Sequence, residues 1–125
     1  MNFYFIAAAI LTLATSLAHS WLGERYILMR LFRRQDLPHL HRSDVFTKRT
    51  LRFAWHITSV AWCGLAALLL AFALLPLDTS AHILSKIIAA TFLASSVLVL
   101  TGSRGRHLAW VVFLVIAGLV WVGGR

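Results

Sequence analysis

His19-Ser-Trp-Leu-Gly-Glu-Arg25 is the stretch where a long apolar run passes into a strongly basic one. Within seven residues it places a histidine, a glycine and Glu24, the only acidic side chain next to an apolar segment. Ionisable groups are costly in a membrane span and usually face a partner or a wet cavity. The stretch therefore raises two questions: whether its surroundings span a membrane, and which later residues return to its level.

Composition answers the first. Of 125 residues, 60% are hydrophobic and 13% charged, with a mean hydropathy of +0.81. Soluble domains carry about 25% charged residues. Apolar runs cover Asn2–Leu22, Leu51–Leu75, Ala81–Leu100 and Leu108–Val122. The first three reach the roughly 20 residues that cross about 30 Å of hydrocarbon as a helix. The fourth becomes adequate if Arg106 and His107 join its helix and Arg106 snorkels. A single span satisfies its own backbone only as a helix. The expected fold is an all-α integral membrane protein, a single bundle of four transmembrane helices. Their expected bounds are about 2–34, 47–75, 80–101 and 105–123, with a basic loop over 35–46.

Charge supplies an orientation. Eight of the twelve basic residues lie between Arg25 and Arg52, and Arg104 and Arg106 lie in the last connection. The turn Pro76-Leu-Asp-Thr-Ser80 has none. The positive-inside rule then puts the first and third connections in the cytoplasm and both termini outside. The net charge of +8 follows from topology and attraction to anionic lipid headgroups, so no nucleic-acid partner is expected. The N-terminal run lacks the basic start of a signal peptide and is read as a retained helix. Cys63 is the single cysteine and has no CxxC partner.

In chain order, helix 1 opens with the aromatic Phe3-Tyr-Phe5. The amphipathic pattern Tyr26–Arg34 carries it beyond the cytoplasmic interface, and the approach to Pro38 ends it. Ala14/Ala18 on helix 1 and Ala90/Ala94 on helix 3 are four apart and predict close packing, within the chain, with another copy, or in a larger membrane complex. Thr91, Ser95 and Ser96 predict hydrogen bonds across helices. Ser43 or Asp44 is the expected cap of helix 2, and Asp78, Thr79 or Ser80 that of helix 3. His39 and His41 sit two apart in the basic loop, an unstructured match to metal-ligand spacing.

Connectivity then brings three histidines to one depth: His19 near the cytoplasmic end of helix 1, His56 one turn into helix 2, and His107 at the start of helix 4. Glu24, Arg52, Arg104 and Arg106 surround them. On an ideal helix Glu24 points about 140° away from His19, so sharing one site requires a distortion near Gly23 or another helix wrapped round helix 1. The pattern His19-Ser-x-x-Gly-Glu24, Trp55-His56 and Gly-Arg-His107 resembles small bacterial inner-membrane proteins, and nothing is carried over from that resemblance; the expected multi-pass location in the inner (plasma) membrane rests on the apolar runs and the basic connections.

Three readings follow. The first is a cofactor site: His19, Glu24, His56 and His107 suit a divalent metal, or two of the histidines ligate a single haem b with Trp and Phe against the porphyrin. The second is a structural or accessory subunit, in which Glu24 pairs with Arg52 and locks helix 1 to helix 2. The third is recognition of a lipid or quinone headgroup, with Arg52, Arg104 and Arg106 on its oxygens and His56 or His107 exchanging a proton. With Glu24 as base this shades into catalysis, although no nucleophile motif or paired carboxylates appear. On the topological reading, a reporter fused after Arg125 is expected to be active only outside the cytoplasm. Cytoplasmic activity of the fusion would reverse the orientation.

Overall fold

The computed structural model describes residues 1–34, 36–37 and 43–125. Among them there is helix and no strand. Four helices follow in order: α1 (Phe3–Leu31), α2 (Asp44–Leu74), α3 (Thr79–Gly102) and α4 (Ala109–Gly123). The first three are long and apolar enough to cross a membrane, while α4 is apolar but has 15 residues. At 1.5 Å per residue α4 is about 22 Å long, short of a full hydrocarbon core. It begins at Ala109 because residues 103–108 are used in the turn from α3. There Arg104 adopts a left-handed conformation (φ 52°) beside Gly105 (φ 76°).

The start and stop signals act as their chemistry requires. Ser43 Oγ accepts from the N–H of Phe46 (3.3 Å), and Asp78 Oδ1 from that of Ala81 (2.7 Å). Each occupies an otherwise orphan donor of a first turn. Asn2 caps α1, its side-chain oxygen accepting from Tyr4 and Phe5. Beyond α1, Arg34 holds Asp36 in an exposed ion pair (2.7 Å), and this hydrogen bond keeps the Asp36 carboxyl below its ordinary range. His39 and His41 lie outside the described residues.

Asn2 also ties the ends of the bundle together. Its backbone N–H donates to Ala73 O at the end of α2 (2.9 Å). Its side-chain amide donates to Gly123 O at the end of α4 (2.8 Å). His82, in the first turn of α3, bonds through Nδ1 to Gly124 O (3.1 Å). The starts of α1 and α3 therefore meet the ends of α2 and α4, and neighbouring helices run antiparallel.

Packing is uneven. Helix α1 lies between α2 and α4, α3 packs on α4, and α2 and α3 scarcely touch. The core contains Phe5, Ala8, Leu69, Phe92, Phe113, Ile116 and Val120. Two buried serines stitch neighbours: Ser16 Oγ donates to Ser59 O (2.7 Å), and Ser96 Oγ to Trp110 O (2.7 Å). Thr91 and Ser95 instead donate to their own helix, at Ile87 O and Thr91 O. The alanine stripes do not make the contacts within the chain, since Ala14, Ala18, Ala90 and Ala94 are exposed. Ala8, Ala9, Ala66, Ala73, Ala89 and Ala117 are buried instead.

Phe92 is 2% exposed and leans on Phe113 at a centroid separation of 6.0 Å. Phe92→Ala is expected to destabilise the fold by about 3 kcal/mol. This is the low end of the usual range for Phe→Ala in a packed core. Reversible unfolding in mixed micelles measures it.

Candidate functional site

At the end of the bundle where α1 leaves and α2 enters, the helix is not regular. Residues Gly23–Leu28 form a π-helical turn, with the N–H of Met29 bonded to Glu24 O. Single π-turns inside α-helices often mark sites where function demanded a change of phase. The cause here is local. Gly23 is buried, and a Cβ at this position would overlap the indole of Trp55. Lacking one, Gly23 lets Trp55 lie directly against the α1 backbone. The Trp55 Nε1–H donates to His19 O (3.1 Å), a carbonyl that also accepts from the N–H of Gly23.

Trp55 in turn fixes His19. The two rings stack at 4.6 Å with 3° between their planes, and Trp62 meets His19 edge-on at 5.0 Å. Trp62 then contacts Phe113 of α4 edge-on at 5.4 Å. His19 Nε2 is buried and has no hydrogen-bond partner. Buried polar atoms are nearly always paired, so this nitrogen requires an explanation.

These aromatic rings form the wall of a cavity of about 700 Å³. Helix α1 supplies the largest share of its lining, including Thr15, Ala18, Leu22 and Tyr26, and α4 adds Ala109 and Phe113. Trp55, Thr58 and Trp62 face it from α2, and Leu98, Val99 and Gly102 from α3. His19 and His107 both line it, whereas His56 does not. Among the described residues, none that lines it is Lys, Arg, Asp or Glu. A second cavity, of about 560 Å³, sits at the opposite end around Asn2 and His82. There the Asn2 amide donates to Gly123 O and His82 Nδ1 is bonded to Gly124 O.

Glu24, Arg52 and His56 come together at a different face of α1. Arg52 engages Glu24 through both oxygens, Nη2–Oε1 at 2.9 Å and Nε–Oε2 at 3.2 Å, and its guanidinium also lies over the Phe32 ring at 5.0 Å. The pair joining α1 to α2 is thus present. His56 Nε2 meets Glu24 Oε2 at 3.3 Å, and its Nδ1 meets Ser20 Oγ at 2.6 Å. The helix is distorted at Gly23, and Glu24 engages Arg52 and His56 while His19 faces the cavity. His107 is exposed in the α3–α4 turn; its Nδ1 accepts from the N–H of Ala109 (3.2 Å). Arg104 and Arg106 are exposed in the same turn. Among the described residues no group of three or more His, Cys, Asp and Glu side chains is arranged to hold a metal ion.

Sequence reasoning singled out the histidines but missed Ser20 as the partner of His56 and Trp55 as the ring under His19. A serine three residues before a glycine carries no signal by itself, because its partner is 36 residues away. No protein-family model, curated protein or solved structure matches this chain.

Gly23→Leu is expected to drive Trp55 off His19 while preserving the helices. Near-ultraviolet circular dichroism should lose the stacked-indole signal, with far-ultraviolet helicity unchanged. An unaltered near-ultraviolet spectrum would mean that Gly23 does not set the position of Trp55.

Proposed function

We propose that this chain is a multi-pass inner-membrane protein that binds the neutral, planar headgroup of an isoprenoid quinone in the cavity between α2 and α3. The four helices cross the bilayer with both termini outside, as the basic residues indicate, and the shorter α4 is accommodated by local thinning of the bilayer. The cavity then lies toward the cytoplasmic side, open to lipid along the loosely packed α2–α3 seam, from which a ligand with a long apolar tail enters.

The observation that carries this reading is His19 Nε2, buried without a partner in a residue that lines an apolar cavity. On a small rotation of its ring His19 donates Nε2–H to a ring carbonyl, Trp55 and Trp62 offer flat faces for stacking, and His107 lines the same cavity as a second polar contact. Sites for small molecules are typically apolar with a few placed polar groups. The lack of Lys and Arg in the lining favours a neutral ring over a phosphate headgroup, which would call for cations.

One observation favours haem b as a second reading: two of the three histidines, His19 and His107, line one cavity with Trp62 and Phe113. Arg104 and Arg106 in the adjoining turn are the cations its propionates would use. A metal ion held jointly by His19, Glu24, His56 and His107 has less support, because His56 already bonds Ser20 and Glu24 outside the cavity.

A short-chain quinone titrated into the protein in lipid nanodiscs is expected to quench tryptophan fluorescence saturably. Val99→Trp, which fills the cavity, should abolish the saturable component. His19→Ala should weaken binding about fivefold, the worth of one hydrogen bond of about 1 kcal/mol. A Soret band in the purified protein that is lost on His19→Ala would favour haem. The absence of saturable quenching, Soret band and stoichiometric metal would leave the accessory-subunit role.

A further inference from the structure

Away from the cavity, four side chains form one hydrogen-bonded row across the α1–α2 seam: Arg52, Glu24, His56 and Ser20. None of the four lines the cavity, so the row is separate from the quinone site proposed above. Its members are accessible. Ser20 is half-buried, and the side chains of His56 and Glu24 are 35% and 31% exposed.

The protons in this row have a direction. A carboxylate only accepts, so at the 3.3 Å contact His56 Nε2 carries the hydrogen and donates it to Glu24. In the neutral ring Nδ1 is then the acceptor, and the Ser20 hydroxyl donates to it at 2.6 Å. Glu24 is held from the other side by the two-pronged contact with Arg52. Other helix hydroxyls of the described residues behave differently. Thr12, Thr15, Thr91, Ser95 and Thr101 donate to carbonyls of their own helix, the usual habit of such residues. Ser20 is instead turned onto a base, and the base is oriented by a third group. Nucleophile, base and orienting carboxylate within hydrogen-bond reach are the geometric signature of an activated nucleophile.

We propose that Ser20 is a nucleophile toward acyl esters, with His56 as its general base and Glu24, braced by Arg52, as the positioning residue. The substrate class is a carboxylic ester presented from the lipid boundary at the α1–α2 seam. In the first step the Ser20 O–H bond breaks and its proton passes to His56 Nδ1. An Oγ–C bond forms at the acyl carbon, and the ester C–O bond breaks. The departing alkoxide takes the proton from Nδ1 and leaves as an alcohol. In the second step water loses a proton to Nδ1 and attacks the acyl carbon. Ser20 Oγ departs and recovers that proton, releasing the carboxylic acid. The backbone N–H groups around Ser20 belong to the ladder of α1 and do not form a pair of oxyanion donors, which are ordinarily worth about 10²–10³ in rate. Turnover is therefore slow, and the covalent serine adduct is the quantity to measure.

The test treats the full chain in nanodiscs with an alkyl fluorophosphonate, which phosphonylates an activated serine with loss of fluoride. The expected result is one adduct, mapped to Ser20 by peptide mass spectrometry. His56→Gln should slow labelling about 100-fold or more, the usual contribution of a general base. Glu24→Gln should slow it less and change the pH of half-maximal labelling, a readout that a purely structural role would not move. Ser20→Ala should abolish it with helicity and elution volume unchanged. No adduct at Ser20 in the folded wild-type protein would overturn the proposal, whatever the variants do. So would an equal rate in His56→Gln. The readout uses no quinone and leaves the cavity intact, so its failure is distinct from failure of the quinone reading.

Discussion

The approach of Trp55 to the backbone of α1 is the constraint on which the rest depends. It exists because Gly23 presents no Cβ where the indole lies. The indole N–H bonds the carbonyl of His19, and the same ring stacks on the His19 side chain. One side chain of α2 thereby sets the backbone and the rotamer of one residue of α1. The π-helical turn begins at Gly23, and the residues beyond it continue in a different phase. Glu24 is the first of these, and it meets Arg52 and His56.

Two faces of α1 consequently carry different chemistry. One, through His19, Gly23 and Tyr26, lines an apolar aromatic cavity. The other, through Ser20 and Glu24, holds a polar row against α2. This division is the economical one. An ion pair brought close to apolar helices carries a desolvation cost, which only good geometry and additional hydrogen bonds offset. Glu24 has both: two contacts from Arg52 and one from His56. With the charged row held against α2, the described residues lining the cavity carry no Lys, Arg, Asp or Glu. The loose α2–α3 seam serves the same end, since helices with little contact leave lateral room between them.

Much of the architecture was legible along the chain. Four apolar runs mark the helices, with Ser43 and Asp78 as caps, because capping depends on residues a few positions apart. The Glu24–Arg52 pair was legible from connectivity, as a lone acid near an apolar run needs a cation at its own level. The alanine stripes were not a guide to packing within the chain. Small residues at a spacing of four permit close approach on any face, and Ala8 and Ala9 occupy the interface while Ala14 and Ala18 are exposed. The start of α4 at Ala109 was also out of reach, because the length of a full span drew residues 105–108 into the helix, whereas the left-handed turn at Arg104 and Gly105 leaves them outside it.

By itself, then, the sequence determined an all-helical chain with three helices long and apolar enough for a membrane, a shorter fourth, and histidines gathered toward one end. These follow from composition, periodicity and local hydrogen-bond chemistry, which are properties of neighbouring residues. Only the tertiary structure decided how those histidines divide: His19 and His107 on a cavity, His56 between Ser20 and Glu24. That division turns on the rotation of α1 against α2, set by one glycine accepting one indole. No spacing along the chain encodes a contact between residues more than thirty positions apart.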